Sequence, residues 1–360
     1  MRARGVNADI LVVGLGPAGA AAAGAAAAAG ARVVAIDARA MPGCPVQCAE
    51  FVPAALEADL SWLAEVTVQP IRQMRTFVES APPDVTAGFP GCMIDRAAFD
   101  RRLADDAAGA GARLLSRRRI GAIGTDGTLV STTGEMFRAR VVIGADGPRS
   151  AVGAATGRFN TALVETRQLM VDLRSELDST DIFLSASYLG GYGWLFPKAG
   201  MANLGLGLAA RDRARLKPLL AGLHARLAAQ GIVGRAAWGL TGGAIPVGGR
   251  HPVAAWCGSI PMLLAGDALG LANPVTGAGI AAAALSGRLV GGAAAAWVGG
   301  DRTALEFLEE DIALLFDASL RRAREHRRAL DDVAVDPDSL RAHWIADPRY
   351  WTKSATEHAL

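Results

Sequence analysis

Short, uniformly apolar runs recur along the chain, and each stops at a glycine or an aspartate. Residues 10–13 run into Gly14, residues 33–36 into Asp37, residues 141–143 into Gly144-Ala145-Asp146-Gly147, and residues 262–265 into Gly266-Asp267. Runs of this length without polar alternation predict strands covered on both faces, the habit of parallel sheets. Residues 17–29 instead form an Ala-rich stretch, with Pro17 suited to a first helical turn and Gly30 to the position just past the end. Strand, tight turn, helix and strand follow one another in the first 37 residues. Residues 10–31 carry no charge and follow Arg2 and Arg4, so hydropathy alone would suggest a leader or a spanning helix. Ala and Gly contribute little transfer free energy, and the pattern changes halfway, which favours a nucleotide-binding unit.

The turn is Gly14-Leu15-Gly16-Pro17-Ala18-Gly19. Gly14 permits the tight turn, Gly16 lets backbone approach a pyrophosphate, and Gly19 allows close helix–strand packing. The amides at Pro17 and beyond then face the phosphates. Asp37 closes the second strand, where a carboxylate accepts ribose hydroxyls and repels a 2′-phosphate. The later runs decide which dinucleotide fits. Asp146 reads as a turn residue or a cofactor contact. Asp267, flanked by apolar residues, is costly unless hydrogen-bonded, and suits a ribityl hydroxyl. Pro274 to Ile280, with Gly277 and Gly279, offers a second helix start with bare amides. These features together point to FAD.

Composition narrows the picture. A chain of 360 residues, 51% hydrophobic, can bury two packed domains. A net charge of +2 gives no case for nucleic-acid binding. The four cysteines suggest a reduced, cytoplasmic setting rather than a disulfide scaffold. No metal site is expected, since the five histidines are scattered and Cys44 and Cys48 have no partner cluster. No Gly-x-Ser-x-Gly elbow supports a hydrolase. A second Gly-x-Gly-x-x-Gly is also missing, so electrons are expected from transiently bound NAD(P)H or from a small redox protein.

Two further segments carry a resemblance. They are Pro45-Val46-Gln47-Cys48-Ala49-Glu50 and Gly190-Gly191-Tyr192-Gly193-Trp194-Leu195-Phe196-Pro197-Lys198. With the glycine turns they resemble the geranylgeranyl reductase family of FAD-dependent oxidoreductases, including archaeal reductases of digeranylgeranylglycerophospholipids. That resemblance implies an α/β fold like that of p-hydroxybenzoate hydroxylase. A Rossmann-type FAD domain (residues 1–56, 93–158 and 253–298) would be interrupted by a sheet-containing substrate domain (57–92 and 159–252), before a C-terminal helical region (299–360). It implies FAD contacts at Ala18, Asp37, Cys48, Ala49, Phe51, Arg96, Ile120, Asp267, Gly279 and Ile280, and a substrate cavity at Tyr192, Trp194, Phe196 and Pro197. Gly277-Ala278-Gly279 departs from the family's usual Gly-Glu-Gly, and Phe51 stands where glycine is usual.

The chemistry implied is saturation of carbon–carbon double bonds in an isoprenoid or other hydrophobic polyene. An isolated alkene accepts hydride poorly, so an acid must protonate one carbon as the other is reduced. Cys48 and Tyr192 are the candidates, against readings as a small buried thiol and a packed aromatic. A flavin monooxygenase acting on a hydrophobic molecule is the alternative, and a degenerate flavoprotein serving as a binding module a third reading. Residues 303–330 predict an amphipathic helix with Leu305, Leu308, Ile312 and Leu315 on one face, extended by Phe316 and Leu320. Its Arg321, Arg322, Arg324, Arg327 and Arg328 form either a solvated face or a contact with anionic lipid headgroups at a membrane surface, and Arg117 to Arg119 pose the same choice.

Overall fold

A computed structural model describes residues 5–332 and 336–352. The described residues build two sheets. The first has eight strands, and its main path runs Ala254–Cys257, Ile260–Leu264, Met136–Gly144, Gly5–Val13, Val33–Ile36 and Arg113–Leu115. All neighbours on this path are parallel except the first pair. Gly5–Val13 lies at its centre. Its chain continues to one side, into Val33–Ile36, while Met136–Gly144 pairs on the other. That reversal is the topological switch point where such sheets open a crevice beyond the strand ends.

The Ala-rich helix is Pro17–Ala28, and nine of its residues are buried. Its main partner is Ile280–Gly299, the helix that starts just after Gly277-Ala278-Gly279. Small residues explain the pairing. A Cβ on Gly287 would lie 2.2 Å from the Ala18 carbonyl oxygen, and one on Gly291 2.2 Å from that of Ala22. Ile280–Gly299 is long and apolar enough to cross a membrane, yet this face is spent on the neighbouring helix.

The second sheet has nine strands, ordered Val233–Thr241, Leu163–Leu173, Met201–Ala209, Gly193–Lys198, Ser179–Leu184, Thr67–Val78, Asp84–Ile94 and Phe51–Pro53, with Ala244–Pro246 beside Leu163–Leu173. Leu216–Ala229 covers one face through Leu216, Leu220, Leu223 and Leu227. Strand alternation sorts the cavity segment: Leu195 points to that helix, while Trp194 and Phe196 point to the opposite face.

The long C-terminal helix is Ala304–Asp332. Leu305, Leu308, Ile312 and Leu320 are buried and Phe316 packs beside them, but Leu315 is 49% exposed. The expectation for Leu315 fails because the buried stripe advances by fours through Leu308, Ile312, Phe316 and Leu320, drifting about 40° per step, and leaves Leu315 about 100° behind Phe316. The arginine run is also divided. Arg327 is buried and donates to the Pro274 carbonyl, and Arg322 stacks on Trp351. Gly291→Ala should lower stability by about 1–3 kcal/mol, since neither backbone can yield freely. Thermal unfolding of the variant beside Gly292→Ala, where a Cβ meets open space, checks this.

Candidate active site

A single cavity of about 1600 Å³ begins at the switch point and continues beneath the second sheet. Gly14, Gly16, Pro17, Ala18, Asp37, Ile120 and Asp146 line its nucleotide end, and Arg96, Asp267, Gly277, Gly279 and Ile280 line it too. Cys48, Ala49, Phe51, Tyr192, Trp194 and Phe196 belong to the same wall. Residues far apart in sequence therefore converge on one space. Three expected contacts do not line it. Gly19 sits behind the turn, where a Cβ would come within 1.9 Å of the Gly14 carbonyl oxygen. Gly266 (φ +58°) is packed against Ala18 and Ala283. Pro197 falls on the far face of its strand by alternation, as Leu195 does.

Two glycines at the turn do different work. Gly14 has φ +98°, and a Cβ there would lie 2.3 Å from the Ala145 carbonyl oxygen, so conformation and space both demand glycine. A Cβ on Gly16 would meet nothing within 4 Å. Its bare backbone faces open cleft, the fit a pyrophosphate requires.

The three aspartates separate in role. Asp37 accepts hydrogen bonds from the Leu15 amide (2.7 Å) and the Arg39 amide (2.6 Å), which ties the turn to the second strand. Asp146 takes the Ser150 hydroxyl at 2.5 Å and the Ala151 amide at 2.7 Å. Burial pushes its carboxyl up, and these donors pull it down. Its side chain is thus engaged in capping a short helix. Asp267 differs: among the described residues no hydrogen bond reaches its carboxylate, although it lines the cavity. Burial pushes its carboxyl up to about 6, with Arg96 opposing. An unsatisfied acceptor in a cleft is the feature a ligand hydroxyl would complete.

The cysteine loop is clamped by residues that the sequence did not single out. Glu50, only 4% exposed, adopts φ 70°, an uncommon conformation for a side-chain-bearing residue. Its Oε1 accepts from the Arg96 amide (3.1 Å) and Lys198 Nζ (2.8 Å), and its Oε2 from Asn203 Nδ2 (2.9 Å). Gln168 donates to the Cys48 carbonyl at 3.0 Å and accepts from the Trp194 indole at 3.1 Å. Arg96 pairs with Asp100 at 2.7 Å. Burial works against its charge, while Asp100 and the Cys48 sulfur more than compensate. Arg118 and Arg119 also line the cavity, and the Arg118 amide donates to the Asp37 carbonyl at 2.7 Å.

The remaining wall is apolar. Phe51 stacks on Phe89 (5.6 Å between centroids), and its ring fits because Gly91 lies beneath it, where a Cβ would approach within 2.5 Å. Gly205 serves Trp194 in the same way at 2.1 Å. Met74, Ile182, Trp344 and Ile345 complete the surface. The Tyr192 hydroxyl donates to the Thr276 carbonyl at 2.5 Å, and burial pushes its pKa up. Tyr192, a candidate acid, thus keeps its proton and gives it in a hydrogen bond to a partner within the protein. The bond ties the loop before Gly277 to the second sheet.

No family model matches the sequence. A digeranylgeranylglycerophospholipid reductase from Methanocella arvoryzae is 34% identical over 304 residues, covering 79% of this chain and 76% of the relative. A digeranylgeranylglycerophospholipid reductase 2 from Methanopyrus kandleri is 33% identical and covers 92% of each chain. The chain belongs to the geranylgeranyl reductase family. Among solved structures, a geranylgeranyl bacteriochlorophyll reductase-like protein from Thermoplasma acidophilum superposes with a TM-score of 0.81 at 26% identity, over 94% of this chain and 90% of that one. PqsL from Pseudomonas aeruginosa, a probable FAD-dependent monooxygenase, shares the fold with a TM-score of 0.69 at 17% identity, over 94% and 99% of the two chains. This geranylgeranyl reductase family member is therefore an oxidoreductase with the p-hydroxybenzoate hydroxylase-like fold and a cleft of the flavin-binding kind.

A hydroxyl donates most strongly to the ionised form of Asp267, so flavin affinity should fall as pH drops from 7.5 to 5. The raised pKa acts oppositely on the apoprotein: the contribution of this one carboxyl to stability is lost as pH rises from the ordinary carboxylate range toward 6. Asp267→Asn should weaken flavin binding at pH 7.5 by about tenfold or more and flatten its pH dependence. Quenching of flavin fluorescence on titration measures both.

Proposed function

We propose that the chain is an FAD-dependent reductase that saturates carbon–carbon double bonds of an isoprenoid lipid. One observation carries this reading: the apolar wall of Trp194, Phe196, Phe89 and Trp344 belongs to the same uninterrupted cavity as the Gly14 turn and Asp267. A long hydrocarbon can thus lie in the space where the redox ring would sit. The names of the relatives, as reductases of digeranylgeranylglycerophospholipids, support the same substrate class.

FAD suits the donors present. Gly16 and the start of Pro17–Ala28 would take the pyrophosphate, Asp37 the adenosine ribose, Asp267 a ribityl hydroxyl, and the backbone at Gly277 to Ile280 the flavin end. Bound FAD supplies the hydride. Cys48 is the proton donor in this scheme, held on a loop that Gln168, Asn203 and Glu50 fix to the second sheet. Tyr192 positions, and the aromatic wall excludes water from the reacting carbon. Electrons arrive from NAD(P)H or a small redox protein. The enzyme works in the cytoplasm, in peripheral contact with the membrane that holds its substrate.

Dithionite-reduced enzyme, given a geranylgeranyl lipid without oxygen, should yield a product heavier by two hydrogens per reduced bond. Absence of product without oxygen, with an oxygenated product in air, would show a monooxygenase instead. Cys48→Ala should lower kcat by about 10²- to 10⁴-fold while retaining the flavin spectrum. Tyr192→Phe should keep most of the activity and cost about 1 kcal/mol of stability, from loss of one hydrogen bond. Single-turnover kinetics and thermal unfolding separate the two cases.

A further inference from the structure

The backbone around Asp267 is gripped from two sides, while its carboxylate has no donor among the described residues. Gly266 adopts φ +58° and opens the short 3₁₀ turn Gly266–Ala268. Its amide donates to the Ser286 hydroxyl at 3.1 Å, and that buried hydroxyl donates to the Ala283 carbonyl at 3.2 Å. On the other side Asn160 Nδ2 donates to the Asp267 carbonyl at 2.9 Å and to the Pro148 carbonyl at 3.0 Å. Both hydrogens of the Asn160 amide are thus used. Gly270 leaves room for it: a Cβ there would lie 3.1 Å from Asn160 Oδ1. Asn160 therefore joins the turn at Gly147-Pro148 to the turn at Asp267, and both turns line the large cavity. Asp267 Oδ1 lies 3.1 Å from where a Cβ on Gly279 would stand, beside the start of Ile280–Gly299. Arg96 is the positive charge that acts on this carboxylate, and Asp100 holds Arg96 at 2.7 Å.

We propose that Asn160 is a positioning residue for flavin binding, which aims the Asp267 carboxylate at the ribityl hydroxyls by holding the Asp267 carbonyl. The inference rests on the FAD reading above and adds the residue that fixes its ribityl contact. A carboxylate with no protein donor gains by turning toward water or toward Arg96. Main chain and carboxylate of Asp267 form one short lever, so a carbonyl held by a hydrogen bond restricts where the carboxylate can go. Fixing it before the ligand arrives removes an ordering cost from binding. An amide suits the place, because two carbonyl oxygens need two N–H donors, and a carboxylate at 160 would face both with acceptors.

The test is fluorescence titration of the flavin-free full chain with FAD at pH 7.5. Asn160→Ala should weaken binding about tenfold in the wild-type background, but no more than about twofold beside Asp267→Ala, where no carboxylate is left to aim. Equal losses in both backgrounds, or no loss in the wild-type background, overturn the proposal. Asn160→Asp keeps the volume but sets acceptors against acceptors, so it should repeat the pattern where the alanine variant is too unstable to titrate. A second readout needs no cofactor. The Asp267 carboxyl adds stability in acid that is lost toward pH 6, so the unfolding midpoints of wild type and Asp267→Ala should differ in their dependence on pH. Asn160→Ala should move the wild-type profile toward that of Asp267→Ala, because a released carboxylate regains water. An unmoved profile overturns the hold on Asp267. Should wild type take up no FAD, the FAD reading and this proposal fail together; uptake with equal losses in the two backgrounds removes the proposal alone.

Discussion

The close approach of Pro17–Ala28 to Ile280–Gly299 is the constraint on which the site depends. Gly287 meets Ala18 and Gly291 meets Ala22, so the two helices run parallel in one register. Ile280 lies seven residues before Gly287, whereas Pro17 lies one before Ala18. At 1.5 Å per residue, the later helix begins about 9 Å further along the cleft. Two positive helix ends are therefore staggered along one cavity: the first at the Gly16 turn, the second at Gly279. A dinucleotide cofactor presents its negative groups at separated points, and this stagger offers each its own amides. Larger side chains at either glycine would push the helices apart and uncouple the two ends.

The second coupling joins the sheets. Glu50 leaves the cysteine loop in an unfavourable backbone conformation, and its carboxylate gathers a lysine, an asparagine and a helix-start amide. Left-handed backbone at such a residue costs on the order of 1–2 kcal/mol, which charge-assisted hydrogen bonds in a buried setting offset. The arrangement makes the loop a rigid bracket between the cofactor cleft and the strand that carries Lys198 and the aromatic wall. Rigidity matters for a reductase, because hydride and proton must reach adjacent carbons of a substrate that has few polar handles.

The apolar wall of the cavity is shaped by glycines as well as by rings. Inside, Gly91 and Gly205 make room for Phe51 and Trp194, so the aromatic wall is as much a product of missing side chains as of the rings. The departure at Phe51 from the usual glycine is accommodated across the strand pair at Gly91, not at its own position. Outside, the edge strand Val233–Thr241 leaves Leu240 60% exposed.

Sequence by itself determined the local devices: the strand–turn–helix start, the role of Gly14, the backbone left bare at Gly16, and the apolar runs that end in Asp146 and Asp267. Each is a constraint set within a few residues, such as a positive φ or an apolar run of fixed length. Tertiary structure decided what depends on partners far along the chain. It joined the Tyr192 hydroxyl to Thr276, turned Pro197 to the far face, brought Glu50, Gln168 and Arg118 to the cleft and set Asn203 behind Glu50. Those polar residues carry no local signature, since their partners lie from 46 to 153 residues away for the carboxylate of Glu50. Leu315 shows the same limit within one helix: a hydrophobic residue in rhythm can still miss the core when its neighbour, Phe316, takes the inward angle.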